Sequence, residues 1–169
     1  SRGLGDVYKR QDERYIFNII NSVLSGMGGR LFIELRDKKS LAYSVTSFFT
    51  PGLDYGYFGI YIGCSPSKKL ESINSINTEL EKLLNNGISE SEIENAKNSL
   101  IGKNDISLQR NAAINSRISI PYLYGLDPNE PFSFANKIRS INKAEVDFVI
   151  QKFLDKTNFV TVSVDPNWF

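Results

Sequence analysis

The chain contains no histidine, only one cysteine and no long apolar run. Without an imidazole, the chain by itself supplies neither the Ser–His nor the Cys–His pair of nucleophilic catalysis. A zinc site of the ordinary kind also lacks its usual histidine ligands, and one cysteine cannot replace them. The single Cys64 rules out an internal disulfide and indicates no compartment.

The chain also lacks an excess of positive or negative charge and lacks long apolar segments. The formal net charge is +1 and no basic run occurs, which disfavours nucleic acid as a partner. No apolar stretch approaches the roughly 20 residues of a membrane span, so we expect no membrane-spanning helix. By contrast, hydrophobic residues make up 41% of the 169 residues, which is enough for one domain with a sizeable core.

The first eleven residues differ from the rest of the chain. The segment from Ser1 to Gln11 (SRGLGDVYKRQ) has no apolar period, whereas the residues after it do. We therefore interpret residues 1–11 as a tail left by cloning or sequence assembly, and residues 12–169 as the folded domain. A native chain would then continue upstream of this domain.

Apolar periods and capping residues predict an α+β fold, with helices packed on one face of a mostly antiparallel sheet. Helical spacing predicts helices at residues 12–25, 66–86, 89–118, 132–140 and 142–154. Asp12 should cap the first helix, Ser89 with Glu92 should form a capping box, and Asn142 with Glu145 should form a second capping pattern. A turn-rich break is predicted from Pro121 to Pro131. Alternating patterns predict strands at residues 42–49, 55–64 and 159–164, with a hairpin turn at 50–54. In the second strand, the aliphatic side should face the helices and the tyrosine side should face open space.

The most informative stretch runs from Gly26 to Tyr43 (GMGGRLFIELRDKKSLAY). Its glycines permit a tight turn, and good helix formers come next, at residues 30–38. On a helical wheel at roughly 100° per residue, Arg36 leaves the charged side and falls between Phe32 and Ile33, on the side that should face the protein. Two interpretations stay open for this cation.

Arg36 is either at the margin of the core, with its stem packed and its head in water, or in a cavity. In the second interpretation, Arg36 and Tyr43 point together as donors to a ligand or to a developing negative charge.

The segment LSGMGGRLFIELRDKKSLAYSVTSFF (residues 24–49) resembles the second domain of zinc peptidases of the insulinase–pitrilysin family, the inverzincins. The segment GISESEIENAKNSLIG (residues 87–102) is similar to the start of a long helix in that family. The resemblance covers about residues 12–169 and is strongest from Leu24 to Gly63.

The resemblance implies an α/β domain on the non-zinc side of a closed peptide chamber. Zinc is then expected in a sister domain or partner subunit, because this chain lacks the H-x-x-E-H motif. By their place in the motif, Arg36 and Tyr43 would donate to the carbonyl oxygen of the scissile peptide. Gly28 and Gly29 match a glycine-rich loop near the substrate, although the start of a helix is an alternative role.

Two functions are consistent with these observations. The first is the non-zinc domain of a zinc metalloendopeptidase, which binds peptide and stabilises the transition state but is inactive alone. The second is a catalytically inert structural or peptide-binding scaffold of the same ancestry. The presence of both Arg36 and Tyr43 favours the first.

Overall fold

The computed structural model describes residues 4–51, 56–154 and 159–165. Its elements are α1 (Leu4–Leu24), a π-helix (Phe32–Lys38), β1 (Ser44–Thr50), β2 (Tyr57–Gly63), a 3-10 helix (Pro66–Lys68), α2 (Lys69–Asn86), α3 (Glu90–Ser107), α4 (Asn111–Leu123), α5 (Glu130–Ser140) and α6 (Lys143–Phe153). The predicted α+β class is confirmed, although helices dominate and the sheet is small.

The sheet is one antiparallel pair, with Ser44 opposite Gly63 and Thr50 opposite Tyr57. One face packs on α1, where the Phe17 ring lies 4.8 Å from that of Phe49, centroid to centroid. On the opposite face, Tyr57 is largely exposed. The predicted two-sided pattern of β2 is therefore confirmed, while most of the predicted turn at 50–54 lies outside the described residues.

The core forms around α1, which packs against α3, α6 and β1. Its fully buried side chains come from several elements: Ile19, Ile20, Leu31, Leu35, Leu83, Ile93, Ile138, Val146 and Ile150. Burial on this scale removes apolar surface from water and is the main stabilising contribution to the fold. Within the described ranges, no helix combines the length and the apolar character that crossing a bilayer requires.

Both predicted capping boxes are confirmed. At the start of α3, the Ser89 hydroxyl accepts from the Glu92 backbone N–H, and the Glu92 carboxylate accepts from the Ser89 N–H. Asn142 and Glu145 exchange the same two bonds at the start of α6. Each box satisfies two backbone donors that the helix leaves without partners, so these helix starts are fixed by neighbouring residues.

Two predicted helix bounds are wrong. α1 begins at Leu4 and continues through Asp12, the predicted cap, because residues 6–25 contain neither glycine nor proline to interrupt it. The predicted helix 89–118 is divided into α3 and α4. Near the end of α3, the Ser107 hydroxyl donates to the Asn104 carbonyl and competes with helix bonding. The proposed division between residues 1–11 and 12–169 stays a prediction.

Two further predictions are wrong. Pro121, expected to begin a break, lies inside α4, two residues before its end, and its carbonyl accepts from the N–H groups of Tyr124 and Leu126. The segment at residues 159–165 forms no strand, and the three valines Val160, Val162 and Val164 are at least 82% exposed. Its composition favours an extended backbone, but a strand also needs a neighbour to bond with, which the local pattern does not specify.

Candidate functional site

The glycine turn between α1 and the π-helix has two different glycines. A side chain at Gly29 would place its Cβ 2.4 Å from the Ser25 carbonyl oxygen, so close packing alone requires glycine there. Gly28 is exposed, and a Cβ added there would contact nothing within 4 Å. Packing therefore accounts for Gly29, and a role in substrate binding stays a prediction for both residues.

Two backbone hydrogen bonds close the end of the π-helix, each spanning one residue more than in a Schellman motif. Leu41 N–H donates to the Leu35 carbonyl over 2.8 Å, and Ser40 N–H donates to the Arg36 carbonyl over 3.0 Å. Ser40 has a φ of +50°, which glycine adopts more readily than serine does. Leu35 and Leu41 are both buried, so apolar packing holds the bend between the helix and β1.

Arg36 lies on the solvent side of this helix and is exposed. The prediction that its side of the helix faces the protein is wrong, because the buried side chains here are Leu31 and Leu35, whereas Phe32 is half-buried and Ile33 is 36% exposed. Its guanidinium carbon lies 4.8 Å from the centre of the Phe32 ring. Among the described residues, the Arg36 side chain has no hydrogen bond and no ion pair.

Tyr43 lies on the other side of the same turn, directly before β1. Its backbone N–H donates to the Gly63 carbonyl over 2.8 Å, which ties it to β2. Its side chain is 87% exposed, and its hydroxyl has no partner within the described ranges. No hydrogen bond or ring contact joins Tyr43 to Arg36 there, so the structure leaves both donors open to solvent without bringing them into contact.

Other cations surround the bend. Lys68 Nζ donates to the Ser40 carbonyl over 2.7 Å, and Lys39 Nζ donates to the Ser75 hydroxyl over 2.9 Å. Neither ammonium forms an ion pair within 4 Å in the described part of the chain, although Lys39 attracts the Glu34 carboxylate at longer range. Lys38 is paired with Glu34, and this hydrogen bond lowers the pKa of the Glu34 carboxyl. The surroundings of Arg36 are thus suited to a ligand that carries or develops negative charge.

The donor set does not fit a zinc ion. No three His, Cys, Asp or Glu side chains meet in the part of the chain that the structure describes. The complete sequence has no histidine and one cysteine. Zinc in proteins takes nitrogen, sulfur and carboxylate ligands, usually four in number or three with a water.

Sequence reasoning missed two contributors to this region. Phe32 stacks under Arg36, and the spacing of four residues between an aromatic residue and a cation on one helix could have indicated it. Ser25, at the end of α1, uses its hydroxyl to bond both the N–H and the C=O of Ser47, each over 2.8 Å. This contact joins the start of the glycine turn to the middle of β1.

Comparisons with known proteins give related sequences. A zinc protease of uncharacterised function from Streptomyces coelicolor is 33% identical over 117 residues, 69% of this chain and 26% of the relative. A second one, YmxG from Bacillus subtilis, is 35% identical over 106 residues, 62% of this chain and 25% of the relative. The chain thus spans about a quarter of the length of the curated relatives it matches.

Solved structures share the fold. The inactive peptidase domain of a candidate zinc protease from Bordetella parapertussis superposes with a TM-score of 0.77 at 19% identity, covering 87% of this chain and 80% of that one. A peptidase M16 inactive domain from Pseudomonas fluorescens gives 0.74 at 25% identity, covering 83% and 34%. The family model described as peptidase M16 inactive domain matches residues 6–100, more than half of the sequence. On this match, the chain belongs to the peptidase M16 inactive-domain family.

Proposed function

We propose that this chain is the non-zinc domain of a zinc metallopeptidase and contributes peptide binding and transition-state stabilisation to a zinc site in another domain or subunit. The family and the zinc-protease names of the relatives support the reaction class. One observation carries the specific roles: Arg36 and Tyr43 are exposed, unpaired among the described residues, and fixed on either side of one turn.

The two side chains have complementary chemistry for this task. Attack on a peptide bond develops negative charge on the carbonyl oxygen, and donors aimed at that oxygen lower the barrier. Arg36 supplies a permanent positive charge and five N–H donors, whereas Tyr43 supplies one neutral O–H donor. Donors already engaged by a carboxylate would be weaker, so their lack of partners favours the role.

The exposure of both residues adds a condition. In water, a charge and a dipole act weakly because solvent screens them, and they act more strongly once water is excluded. The proposed role therefore requires a partner surface that covers the turn. The zinc-bearing domain or subunit is the partner we propose, and a peptide is the substrate between the two.

The test uses the complete parent enzyme, with its zinc-bearing domain or subunit present. We expect Arg36→Ala and Tyr43→Phe each to lower kcat on a peptide substrate by on the order of tenfold or more, because each removes one donor from the transition state. Circular dichroism should show unchanged folding. Steady-state kinetics on a fluorogenic peptide measures the effect.

Matched surface substitutions serve as controls. Arg139 and Tyr122 are exposed residues far along the chain from this turn, and Arg139→Ala and Tyr122→Phe should leave kcat unchanged. If the two site variants behave like these controls, the catalytic role is refuted. The inert scaffold of the same ancestry would then be the better account of the domain.

A further inference from the structure

Among the described residues, Arg36 differs from the other cations that lie over aromatic rings, since each of those has a carboxylate partner or a hydrogen bond. Lys137, over Tyr15, has no carboxylate but donates to the Tyr15 hydroxyl. Arg14 and Lys152 also contact rings, but each is paired with a carboxylate, Glu130 and Glu13 respectively. Arg36 has the ring of Phe32 and no carboxylate among the described residues. Where Arg14, Arg117 and Lys152 have a carboxylate, Arg36 thus has only the ring.

A ring in place of a carboxylate has a chemical consequence. A carboxylate would hold the guanidinium through its N–H groups and would also neutralise its charge. An aromatic face instead attracts the flat cation from below, while the N–H donors point outward in the plane of the guanidinium. The Phe32 ring can therefore restrict Arg36 without using the donors that a ligand would need.

Phe32 is itself well placed to act as a support. It is half-buried, and its neighbours Leu31 and Leu35 are fully buried, which fixes the helix against the core. Four residues separate Phe32 from Arg36, so the two side chains share one side of the helix. The helix that carries the ring is thus held by the core, and the guanidinium lies over the ring.

We infer that Phe32 is a positioning residue for Arg36, and that its ring face holds the guanidinium in place with its hydrogen-bond donors free for the substrate. The inference rests on the function proposed above, because the substrate is the ligand that those donors serve. Phe32 touches no reacting atom, so its effect on catalysis passes through Arg36.

The kinetic test again uses the complete parent enzyme. Phe32→Leu keeps an apolar side chain but removes the ring, and Phe32→Tyr keeps the ring. We expect Phe32→Leu to lower kcat by about two- to fivefold, the fold-change that loss of a partly exposed cation–π contact gives, with little change in KM. Phe32→Tyr should retain the parent kcat. Phe148→Leu, at an exposed phenylalanine whose ring lies near a lysine, is the control and should have no effect.

The same substitution in an Arg36→Ala background decides between positioning and general packing. If Phe32 acts through Arg36, Phe32→Leu should cause no further loss in that background. An equal loss in both backgrounds, or a Phe32→Tyr variant as slow as Phe32→Leu, would overturn the inference. An Arg36→Ala enzyme with unchanged kcat would instead refute the proposed function.

A spectroscopic readout tests the positioning without relying on activity. In the parent protein labelled with nitrogen-15 arginine, the ring should shift the Arg36 Nε–H resonance away from those of free arginines and reduce its mobility. We expect Phe32→Leu to abolish both the shift of the resonance and the reduced mobility, and Phe32→Tyr to keep them. A resonance that does not respond to Phe32→Leu would refute the positioning, whatever the kinetics show.

Discussion

Glu92→Gln removes one negative charge from the contact that joins the π-helix region to the start of α3. The carboxylate of Glu92 accepts from Arg30 through both oxygens, over 2.6 Å to Nε and 2.8 Å to Nη2. It also accepts from the N–H of Ser89 in the capping box. Because glutamine serves in a capping box as glutamate does, this substitution removes the charge and leaves the cap in place.

The magnitude is set by the pKa of Glu92. Hydrogen bonding to Arg30 is the largest cause that lowers this pKa from 4.5 to about 2. If the whole shift acted on stability, Glu92 would contribute ~3 kcal/mol to the free energy of unfolding. Since 33% of the side chain is exposed, solvent screening reduces the contribution, and we expect about 1–2 kcal/mol. For a chain of this length, the melting temperature should fall by about 3–6 °C.

Glu145→Gln is the matched control. Glu145 has the same place in the capping box of α6, but no ion pair joins it to a cation among the described residues. Its substitution should change the free energy of unfolding by less than about 0.5 kcal/mol. Urea unfolding of the two variants at pH 7 therefore separates the ion pair from the cap. Equal losses in both would refute the reasoning.

The effect also has a defined pH dependence. A carboxyl whose folded pKa is depressed stabilises the fold above its unfolded pKa, and this stabilisation is lost as the pH falls through the folded value. For Glu92, the contribution should be complete above pH 4.5 and should decline towards pH 2. The difference between the parent and Glu92→Gln should therefore shrink by about half near pH 3. A difference that is the same at pH 7 and pH 3 would contradict the assigned pKa.

Two substitutions in the turn region test its backbone. Ser40→Gly should raise the free energy of unfolding by about 0.5–1 kcal/mol, because relief of the left-handed conformation outweighs the added freedom of the unfolded chain; a lower urea midpoint would count against this. Gly29→Ala should destabilise the chain by about 1–3 kcal/mol, since the new Cβ meets the Ser25 carbonyl. Gly28→Ala should change the free energy of unfolding by less than about 0.5 kcal/mol, because nothing lies within 4 Å of the new Cβ. Equal stability losses at the two glycines would refute the packing argument. If Gly28 binds substrate, Gly28→Ala should still raise KM in the parent enzyme.

Features that depend on neighbouring residues could be predicted from the sequence. The capping boxes at Ser89 and Asn142 join residues three apart, so the local sequence contains both partners. The two faces of β2 arise from strict alternation, which needs no knowledge of the rest of the fold. The residue types of Arg36 and Tyr43, and their family motif, were equally visible.

The tertiary structure decided the features that depend on distant partners. The residues from 159 to 165 have the composition of a strand, but pairing needs an edge that the local pattern does not specify. The exposure of Arg36 depended on which side of the helix packs on the core, and that side is formed by Leu31 and Leu35 and not by Phe32 and Ile33. The sequence by itself therefore determined which donors are present and where capped helices start. Long-range packing decided where those donors lie, because side-chain direction depends on how the whole chain folds around them.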